Sequence, residues 1–353
     1  MRKVRLGKTN LMVSEVGFGG IPIQRPTEQE AIRVIRRCLD LGVDFLDTAN
    51  SYGTSEERIG QAIAGRRKGL VLATKSAARD AGTFREHMEL SFKRLDVDCI
   101  DLFQFHEVST EEAYEQILAP HGPLEIAHEA QSQGRIRHIG ISSHTLDLAL
   151  ELVRSGHFET LMFPLNFVTD EATNGLIQLC QELDVGFIAM KPMAGGLLED
   201  AALAFKYLRQ FPYAVPILGV EAVSEIEEVV SIVEGPGQLT DSERARIRRM
   251  RGELGTRFCR RCGYCMPCEQ GVDIPVLMNL RAFVKRFPPE RIFGSWGAEM
   301  VALYENCVDC GECETRCPYQ LSIREMTRDN VAWYDRLRAD YCHAADDVRS
   351  AAD

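Results

Sequence analysis

Eight of the twelve cysteines in this 353-residue chain fall into two short runs. The first run contains Cys259, Cys262, Cys265 and Cys268, and the second contains Cys307, Cys310, Cys313 and Cys317, followed by Pro318. The second run reads C-x2-C-x2-C-x3-C-P, a spacing that holds cubane iron–sulfur clusters, and the fourth cysteine of each such run binds the other cluster. The spacing therefore predicts two [4Fe-4S] clusters, one on Cys259, Cys262, Cys265 and Cys317 and the other on Cys307, Cys310, Cys313 and Cys268.

The first run departs from this pattern, because its last gap is one residue shorter and Cys268 is followed by Glu269. The cluster that uses Cys317 therefore follows the pattern more closely than the other. Two tetrahedral zinc sites are the main alternative, although zinc needs two close pairs rather than two runs of four. A disulfide framework is disfavoured, because no secretion signal is visible and a chain of this length buries a core without covalent staples.

The composition excludes several classes of partner. The formal net charge of −11 argues against nucleic acid and against anionic membrane surfaces. No apolar run approaches the length of a membrane span. Many cysteines without a secretion signal indicate a reducing cytoplasm. The sequence says nothing about the oligomeric state.

Eight short apolar segments alternate with helical periodicity in the first two thirds of the chain. They are residues 15–18, 43–46, 70–74, 100–105, 136–141, 160–165, 186–190 and 215–218. This alternation is typical of a parallel sheet, and eight units favour a closed (β/α)8 TIM barrel. A doubly wound open sheet would normally carry G-x-G-x-x-G after its first strand, and that motif is missing here. We predict a barrel over residues 1–238 and a mainly α-helical domain over residues 239–353.

Four reactive side chains follow predicted strands at their C-terminal ends, where barrels of this kind place their chemistry. Asp47 and Tyr52 follow the second strand, Lys75 ends the third and His106 ends the fourth. A lysine directly after a buried strand needs a charged partner such as Asp47. A lone histidine after Phe105 and a tyrosine before Gly53 also have ordinary structural interpretations.

At these positions the sequence resembles the aldo-keto reductase family. The resemblance is carried by D-x-A-x-x-Y-G at residues 47–53, A-T-K at 73–75, F-Q-F-H at 103–106, G-I-S-S-H at 140–144 and M-K-P-M-A-G-G at 190–196. It covers roughly residues 1–235, and the branch of the family with a C-terminal ferredoxin-like 4Fe-4S domain explains the full length. The resemblance implies that Tyr52 is a general acid and base, that Lys75 held by Asp47 stabilises its phenolate, and that His106 orients a carbonyl.

The resemblance also implies that a nicotinamide dinucleotide, NAD or NADP, binds across the rim without a Rossmann fold. The positions carried over for this cofactor are Gly19, Gly20, Ser142, Ser143, Asn166, Lys191, Pro192, Met193, Gly195, Gly196, Gly219, Glu221, Ser224, Glu227 and Glu228. Ser142 would contact the carboxamide and the Gly195–Gly196 loop the pyrophosphate. Residues 219–224 would place the adenosine phosphate at a helix N-terminus. Ser224 with Glu227 also forms a capping-box pattern.

Three positions depart from the family's pattern. Met162 stands where the sixth strand commonly offers a glutamine to the carboxamide, and Val229 replaces a later asparagine. Glu221 occupies a place that is often basic in members that bind the 2′-phosphate of NADP. Because a carboxylate repels a phosphate and accepts from a 2′-hydroxyl, the sequence favours NAD.

Three functions are compatible with these features. The first is an NAD(P)-dependent oxidoreductase that interconverts small carbonyls and alcohols, with clusters for structure or docking. The second is an electron-transfer enzyme that couples substrate redox through the clusters to a ferredoxin-like partner. In this case Arg257, Arg260 and Arg261 beside the first cysteine run would favour an acidic partner. The third is a non-catalytic redox sensor that keeps cofactor bound.

Overall fold

Eight parallel strands form a closed barrel, as the alternation of strands and helices predicted. The computed structural model describes the backbone of residues 1–350 and the side chains of residues 1–343. The chain divides into two units, Met1–Arg248 and Arg249–Asp353. This division lies within a helix of residues Asp241–Leu254, and the domain boundary near residue 238 stays a prediction.

The strands described are β1 (Lys3–Arg5), β2 (Met12–Ser14), β3 (Gly17–Gly19), β4 (Phe45–Asp47), β5 (Val71–Ser76), β6 (Ile100–Phe105), β7 (Ile136–Ser142), β8 (Thr160–Pro164), β9 (Gly186–Met190) and β10 (Ala214–Gly219). Strands β3 to β10 follow the barrel in chain order, and β10 closes against β3. All residues of β4, β5 and β6 are buried, because one face packs inside the barrel and the other packs under helices. Since all eight strands are parallel, their C-terminal ends meet at one rim.

Ten α-helices are described in the first unit and at its end. They are α1 (Glu28–Asp40), α2 (Ser55–Ile63), α3 (Ala81–Leu95), α4 (Glu111–Leu118), α5 (Pro123–Ser132), α6 (Leu146–Arg154), α7 (Leu176–Glu182), α8 (Ala201–Leu208), α9 (Val223–Glu234) and α10 (Asp241–Leu254). Helix α1 shows why they form: a capping box of Thr27 and Glu30 starts it, and Ala31, Ile35 and Cys38 share its buried face. The sequence did not predict α4, which buries only Tyr114 and Ile117.

A small hairpin closes the lower end of the barrel. Strands β1 and β2 pair antiparallel, and Leu6 and Val13 of this hairpin are fully buried in one core with Phe45 and Leu102 of the barrel. Arg5 also pairs with Asp184 at 2.7 Å. Because the hairpin fills the lower end, the upper rim is the end that remains for chemistry.

The second unit is helical in its described part. Its helices are α11 (Ile274–Met278), α12 (Leu280–Val284), α13 (Pro289–Phe293), α14 (Trp296–Ala302), α15 (Glu312–Thr315) and α16 (Ile323–Ser350). Leu277, Leu280 and Tyr334 are fully buried in its core, and the Tyr334 hydroxyl donates to the Ile292 carbonyl at 2.7 Å. Cysteines of both runs pack against this core. No helix within residues 1–350 is long and apolar enough to cross a membrane.

Candidate functional site

A buried ion pair joins the ends of two neighbouring strands at the rim. Lys75 Nζ lies 2.6 Å from Asp47 Oδ2 and donates to the Thr48 carbonyl at 2.6 Å. Gln104 Nε2 donates to the other Asp47 oxygen at 3.1 Å. Asp47 is 3% exposed and Lys75 is 1% exposed. The strand register that sets Asp47 beside Ala73 brings the two side chains together.

Burial and pairing act in opposite directions on these two groups. Burial raises the pKa of Asp47, and Lys75 opposes that rise. Burial likewise lowers the pKa of Lys75, and Asp47 opposes that fall. Because the two charges lie in hydrogen-bond contact and each has a further polar partner, each stabilises the ionised form of the other.

Tyr52 and His106 lie above this ion pair. The Tyr52 hydroxyl is 3.4 Å from His106 Nε2, and the two rings meet edge-on with centroids 5.6 Å apart. Lys75 Nζ is 5.1 Å from the centre of the Tyr52 ring. The structure thus brings all four predicted rim residues together. They form one acid, amine, phenol and imidazole cluster.

Backbone contacts between loops hold this cluster in position. In the loop after β4, the Asn50 amide donates to the Lys75 carbonyl at 2.9 Å. In the loop after β6, the His106 amide donates to the Ser76 carbonyl at 2.9 Å, and Arg79 Nη2 donates to the His106 carbonyl at 2.7 Å. Sequence reasoning missed Arg79 and Gln104. For Gln104 a signal existed, since it is a polar residue inside a buried strand two positions before His106.

Three of the predicted cofactor-binding side chains, among them Ser142 predicted for the carboxamide, have hydrogen-bond partners in the rim loops. Ser142 Oγ accepts from the Glu107 amide at 2.9 Å, and Ser143 Oγ accepts from the Thr145 amide at 3.2 Å. Asn166 Oδ1 accepts from the Thr169 amide at 2.8 Å, while its amide nitrogen donates to the Lys191 carbonyl at 3.0 Å. These three side chains shape the rim loops, and their contact with a cofactor stays a prediction.

The loop after β9 has an unusual backbone. Lys191, Ala194, Gly195 and Gly196 all have positive φ angles, of 59°, 46°, 75° and 90°. Residues of this kind turn the chain sharply, and the amides of Ala194 and Gly196 donate within the loop to the carbonyls of Lys191 and Met193 at 2.9 and 2.8 Å. Pro192 is buried and Met193 half-buried in the same loop.

Gly19 and Gly20 are buried at the end of β3. A Cβ atom on Gly20 would lie 2.4 Å from Ser55 Oγ, and one on Gly19 would lie 2.8 Å from Ile217 Cγ2. Close packing therefore requires glycine at both positions. Their predicted contact with a cofactor is not tested by this packing.

The start of α9 differs from the expected arrangement. The Glu225 carboxylate accepts from the amides of Glu221 and Ala222 at 2.8 and 3.1 Å, so the predicted capping box of Ser224 and Glu227 is wrong. Glu227 instead pairs with Arg37 on α1 at 2.7 Å.

The other predicted nucleotide positions of this segment are accessible. Ser224 and Glu228 are exposed on α9, and Gly219 is exposed at the end of β10. Glu221 is half-buried, and its carboxylate lies 3.0 Å from Arg25 Nη1. Burial raises the pKa of Glu221, while Arg25 opposes the rise.

Four cysteines line a single cavity in the second unit. They are Cys259, Cys262, Cys265 and Cys317, the set predicted for one cluster, and apolar side chains such as Ile274 and Leu321 complete the walls. Burial raises the pKa of Cys262 to about 11 and that of Cys265 to about 12, and neighbouring cysteines add to both shifts. Four converging sulfur donors match the ligand set of a cubane cluster, whose positive iron would stabilise the thiolates.

The second group of cysteines lies nearer to solvent. Cys307 and Cys310 are exposed, and Cys268 and Cys313 are half-buried. Burial raises the pKa of Cys313, and the nearby Cys310 and Cys307 add to this rise. These three cysteines are therefore neighbours, while the predicted share of Cys268 in their cluster rests on the sequence pattern alone.

The closed barrel and the four-residue cluster at its rim define a class of barrel oxidoreductases. Residues 15–203 match the aldo/keto reductase family, and residues 258–321 match a 4Fe-4S dicluster domain. This chain therefore belongs to the aldo/keto reductase family and is an oxidoreductase that carries a 4Fe-4S domain after its barrel. The resemblance drawn from the sequence motifs is confirmed, and the second match favours iron–sulfur clusters over zinc.

Individual relatives agree with this assignment. An uncharacterized oxidoreductase of Bacillus subtilis, YqkF, is 31% identical over 217 residues, which cover 58% of this chain and 68% of that protein. The aldo-keto reductase yakc [NADP(+)] of Schizosaccharomyces pombe is 30% identical over 215 residues, covering 54% and 62%. The holo form of aldo-keto reductase AKR11C1 from Bacillus halodurans superimposes with a TM-score of 0.62 at 25% identity, covering 71% of this chain and 96% of that one.

The cysteine cavity generates a direct prediction. In Cys317→Ser the cluster of the buried cavity would lose one thiolate, so anaerobically purified protein should contain about four fewer iron atoms per chain than the parent protein. Iron and acid-labile sulfide analysis measures this loss. Cys342→Ser is the matched control, because Cys342 is exposed and lies outside both runs. Equal iron in Cys317→Ser and in the parent protein would contradict the assignment.

Proposed function

We propose that the barrel interconverts a small carbonyl compound and its alcohol, with Tyr52 as the general acid and base. The observation that carries this proposal is the Tyr52 hydroxyl, 3.4 Å from His106 Nε2 and above the buried Lys75 ammonium. A nicotinamide dinucleotide, when bound, supplies or accepts the hydride. Twelve cysteines, eight of them in the two predicted cluster-binding runs, support action in a reducing compartment such as the cytoplasm.

The residues of the chain handle the proton and the orientation of the substrate. His106 and Tyr52 would hold the carbonyl oxygen between imidazole and phenol, and Tyr52 would give its proton to that oxygen. A free phenol ionises near pH ~10 and is a poor proton donor at neutral pH. The Lys75 ammonium stabilises the phenolate that remains, and Asp47 keeps Lys75 charged and in place.

We propose NAD as the preferred nucleotide. The glycines at positions 195 and 196 would let a pyrophosphate approach the backbone of this loop closely. Glu221 would accept from a 2′-hydroxyl and repel a 2′-phosphate, and Arg25, at 3.0 Å, offsets part of its charge. The relative from S. pombe bears NADP(+) in its name. A substitution of Glu221 should therefore change the affinity for NADPH relative to that for NADH.

Replacing the phenol tests the proposed reaction. Tyr52→Phe should lower kcat for NADH-dependent reduction of an aromatic aldehyde by about a thousandfold, because the proton donor is lost. Binding of NADH, measured by fluorescence titration, should change little. Tyr114→Phe is the control, since Tyr114 is a buried tyrosine on α4. If Tyr52→Phe keeps the parent's activity, Tyr52 is not the acid.

Replacing Glu221 tests the nucleotide preference. In Glu221→Gln the repulsion disappears while Arg25 keeps its positive charge, so the Kd for NADPH should fall about tenfold, or roughly 1.4 kcal/mol. The Kd for NADH should stay the same or rise slightly. Glu234→Gln, at the far end of α9, serves as the control. Parallel changes for both nucleotides would show that Glu221 does not discriminate between them.

A second candidate function is electron exchange between the clusters and a ferredoxin-like partner. Exposure of Cys307 and Cys310 favours it, because electron transfer needs a cluster close to the surface. Of the three arginines predicted to favour an acidic partner, Arg257 is exposed, whereas Arg260 and Arg261 have internal contacts. The Arg260 guanidinium lies 3.8 Å from the centre of the Tyr319 ring and donates to the Gly255 carbonyl at 3.1 Å, and Arg261 lies 5.3 Å from the centre of the Phe283 ring.

An anaerobic experiment separates the two candidates. The iron-loaded protein is mixed with NADH, and reduced cluster is followed by electron paramagnetic resonance together with nicotinamide absorbance. In the first candidate the clusters stay oxidised while an added aldehyde is reduced. In the second, reduced cluster appears as NADH is consumed. A sample without NADH gives the signal of the oxidised clusters, and a sample with excess dithionite gives the signal of the fully reduced clusters.

A further inference from the structure

A second carboxylate is buried behind the rim. Glu56 lies in the first turn of α2 and is 0% exposed. Its Oε1 atom accepts from the Thr74 hydroxyl at 2.7 Å, and its Oε2 atom lies 3.4 Å from Arg94 Nη1 on α3. Burying a carboxylate is costly unless it has such partners. The proposed reaction at the rim assigns no role to this carboxylate.

Glu56 and Lys75 lie on opposite faces of the same strand. Thr74 immediately precedes Lys75 in β5, and successive side chains of a strand point to opposite faces. Glu56 therefore meets β5 from the helix layer, whereas Asp47 contacts Lys75 from inside the barrel. The charges of both carboxylates raise the pKa of Lys75 against the lowering effect of burial. The Lys75 ammonium thus has a carboxylate on each side of its strand: Asp47 contacts it, and Glu56 acts on it from behind the strand.

Arg94 extends this arrangement to the loop that carries Tyr52. Its Nη1 atom donates to the Asn50 carbonyl at 3.1 Å, and its Nε atom lies 2.9 Å from Glu57. Arg94 is 25% exposed and Glu57 is 40% exposed, in contrast to Glu56. The charged and titratable groups on the elements around Lys75 and Tyr52 are Asp47, Glu56, Glu57, Arg79, His87, Arg94 and His106.

We propose that the buried carboxylate of Glu56, behind Lys75 on the outer face of β5, helps to keep Lys75 charged and by its own negative charge sets the pH at which Tyr52 gives up its proton. This inference rests on the proposed function of Tyr52 as the general acid. Removing a nearby negative charge makes proton loss easier for both Lys75 and Tyr52. Since carbonyl reduction needs Tyr52 protonated and Lys75 charged, both effects move the loss of activity at high pH in the same direction, toward lower pH.

The test titrates Tyr52 directly. Phenolate absorbance is recorded against pH for the full iron-loaded chain, and the same titration of Tyr52→Phe is subtracted. In Glu56→Gln, which keeps the shape and an acceptor for Thr74, the midpoint should fall by roughly one pH unit. The alkaline limb of kcat for aldehyde reduction should fall with it. Each variant is paired with its own Tyr52→Phe form.

Glu57→Gln is the matched control. It removes a neighbouring carboxylate that also contacts Arg94, but one whose side chain is 40% exposed and therefore better screened by solvent than that of Glu56. Its midpoint should equal that of the parent protein. An unmoved midpoint in Glu56→Gln, or an equal shift in Glu57→Gln, would overturn the proposal.

Arg94→Gln provides a second variant with the opposite sign. It removes the cation beside Glu56, so the midpoint should rise, and this result decides the question if Glu56→Gln does not fold. A fall in Arg94→Gln would count against the proposal. The titration needs no substrate, so it separates two failures. If Tyr52→Phe stays active, the proposed reaction fails; if Tyr52 is essential but the midpoints do not move, only the role of Glu56 fails.

Discussion

The buried contact between Lys75 and Asp47 is the interaction on which the rim depends. Moving an ammonium and a carboxylate out of water costs several kcal/mol for each ion, and their attraction repays this cost only with good geometry and further hydrogen bonds. Here the Thr48 carbonyl and the Gln104 amide provide those bonds. Strands β4, β5 and β6 must therefore end at matching heights. A closed barrel provides this alignment, because its register is fixed all around the ring.

The chemistry proposed for the two units differs in the number of electrons that move in one step. Hydride transfer moves two electrons together, whereas a cubane cluster passes one at a time, and a flavin usually bridges the two. In the second unit one group of cysteines is enclosed by apolar side chains, while Cys307 and Cys310 of the other group are exposed. Since the environment of a cluster sets its potential, these two sites should differ in potential and in access to partners.

Much of the barrel could be predicted because parallel strands are buried on both faces and read as apolar runs. Strands Ile100–Phe105 and Gly186–Met190 have the predicted bounds. The rim residues could be found because each follows a strand. Glu56 could not, since a glutamate in the first turn of a helix usually faces solvent. The capping box at Ser224 failed because Glu225 and Glu227 both suit such a motif, and the helix begins at Val223 with Ala222 as its N-cap, which places Glu225 at the third helical position.

The position of Glu56 follows from the geometry of the barrel itself. A side chain that points inward at the rim always has a neighbour that points outward toward the helices. A charged side chain of the helix layer that contacts this outward-pointing residue is then separated from the reacting groups by the thickness of one strand. Because the dielectric constant in this layer is low, such a charge acts on Lys75 with little screening. The layer behind the strands is thus part of the electrostatic environment of the site, although Glu56 meets β5 on the face opposite to Lys75.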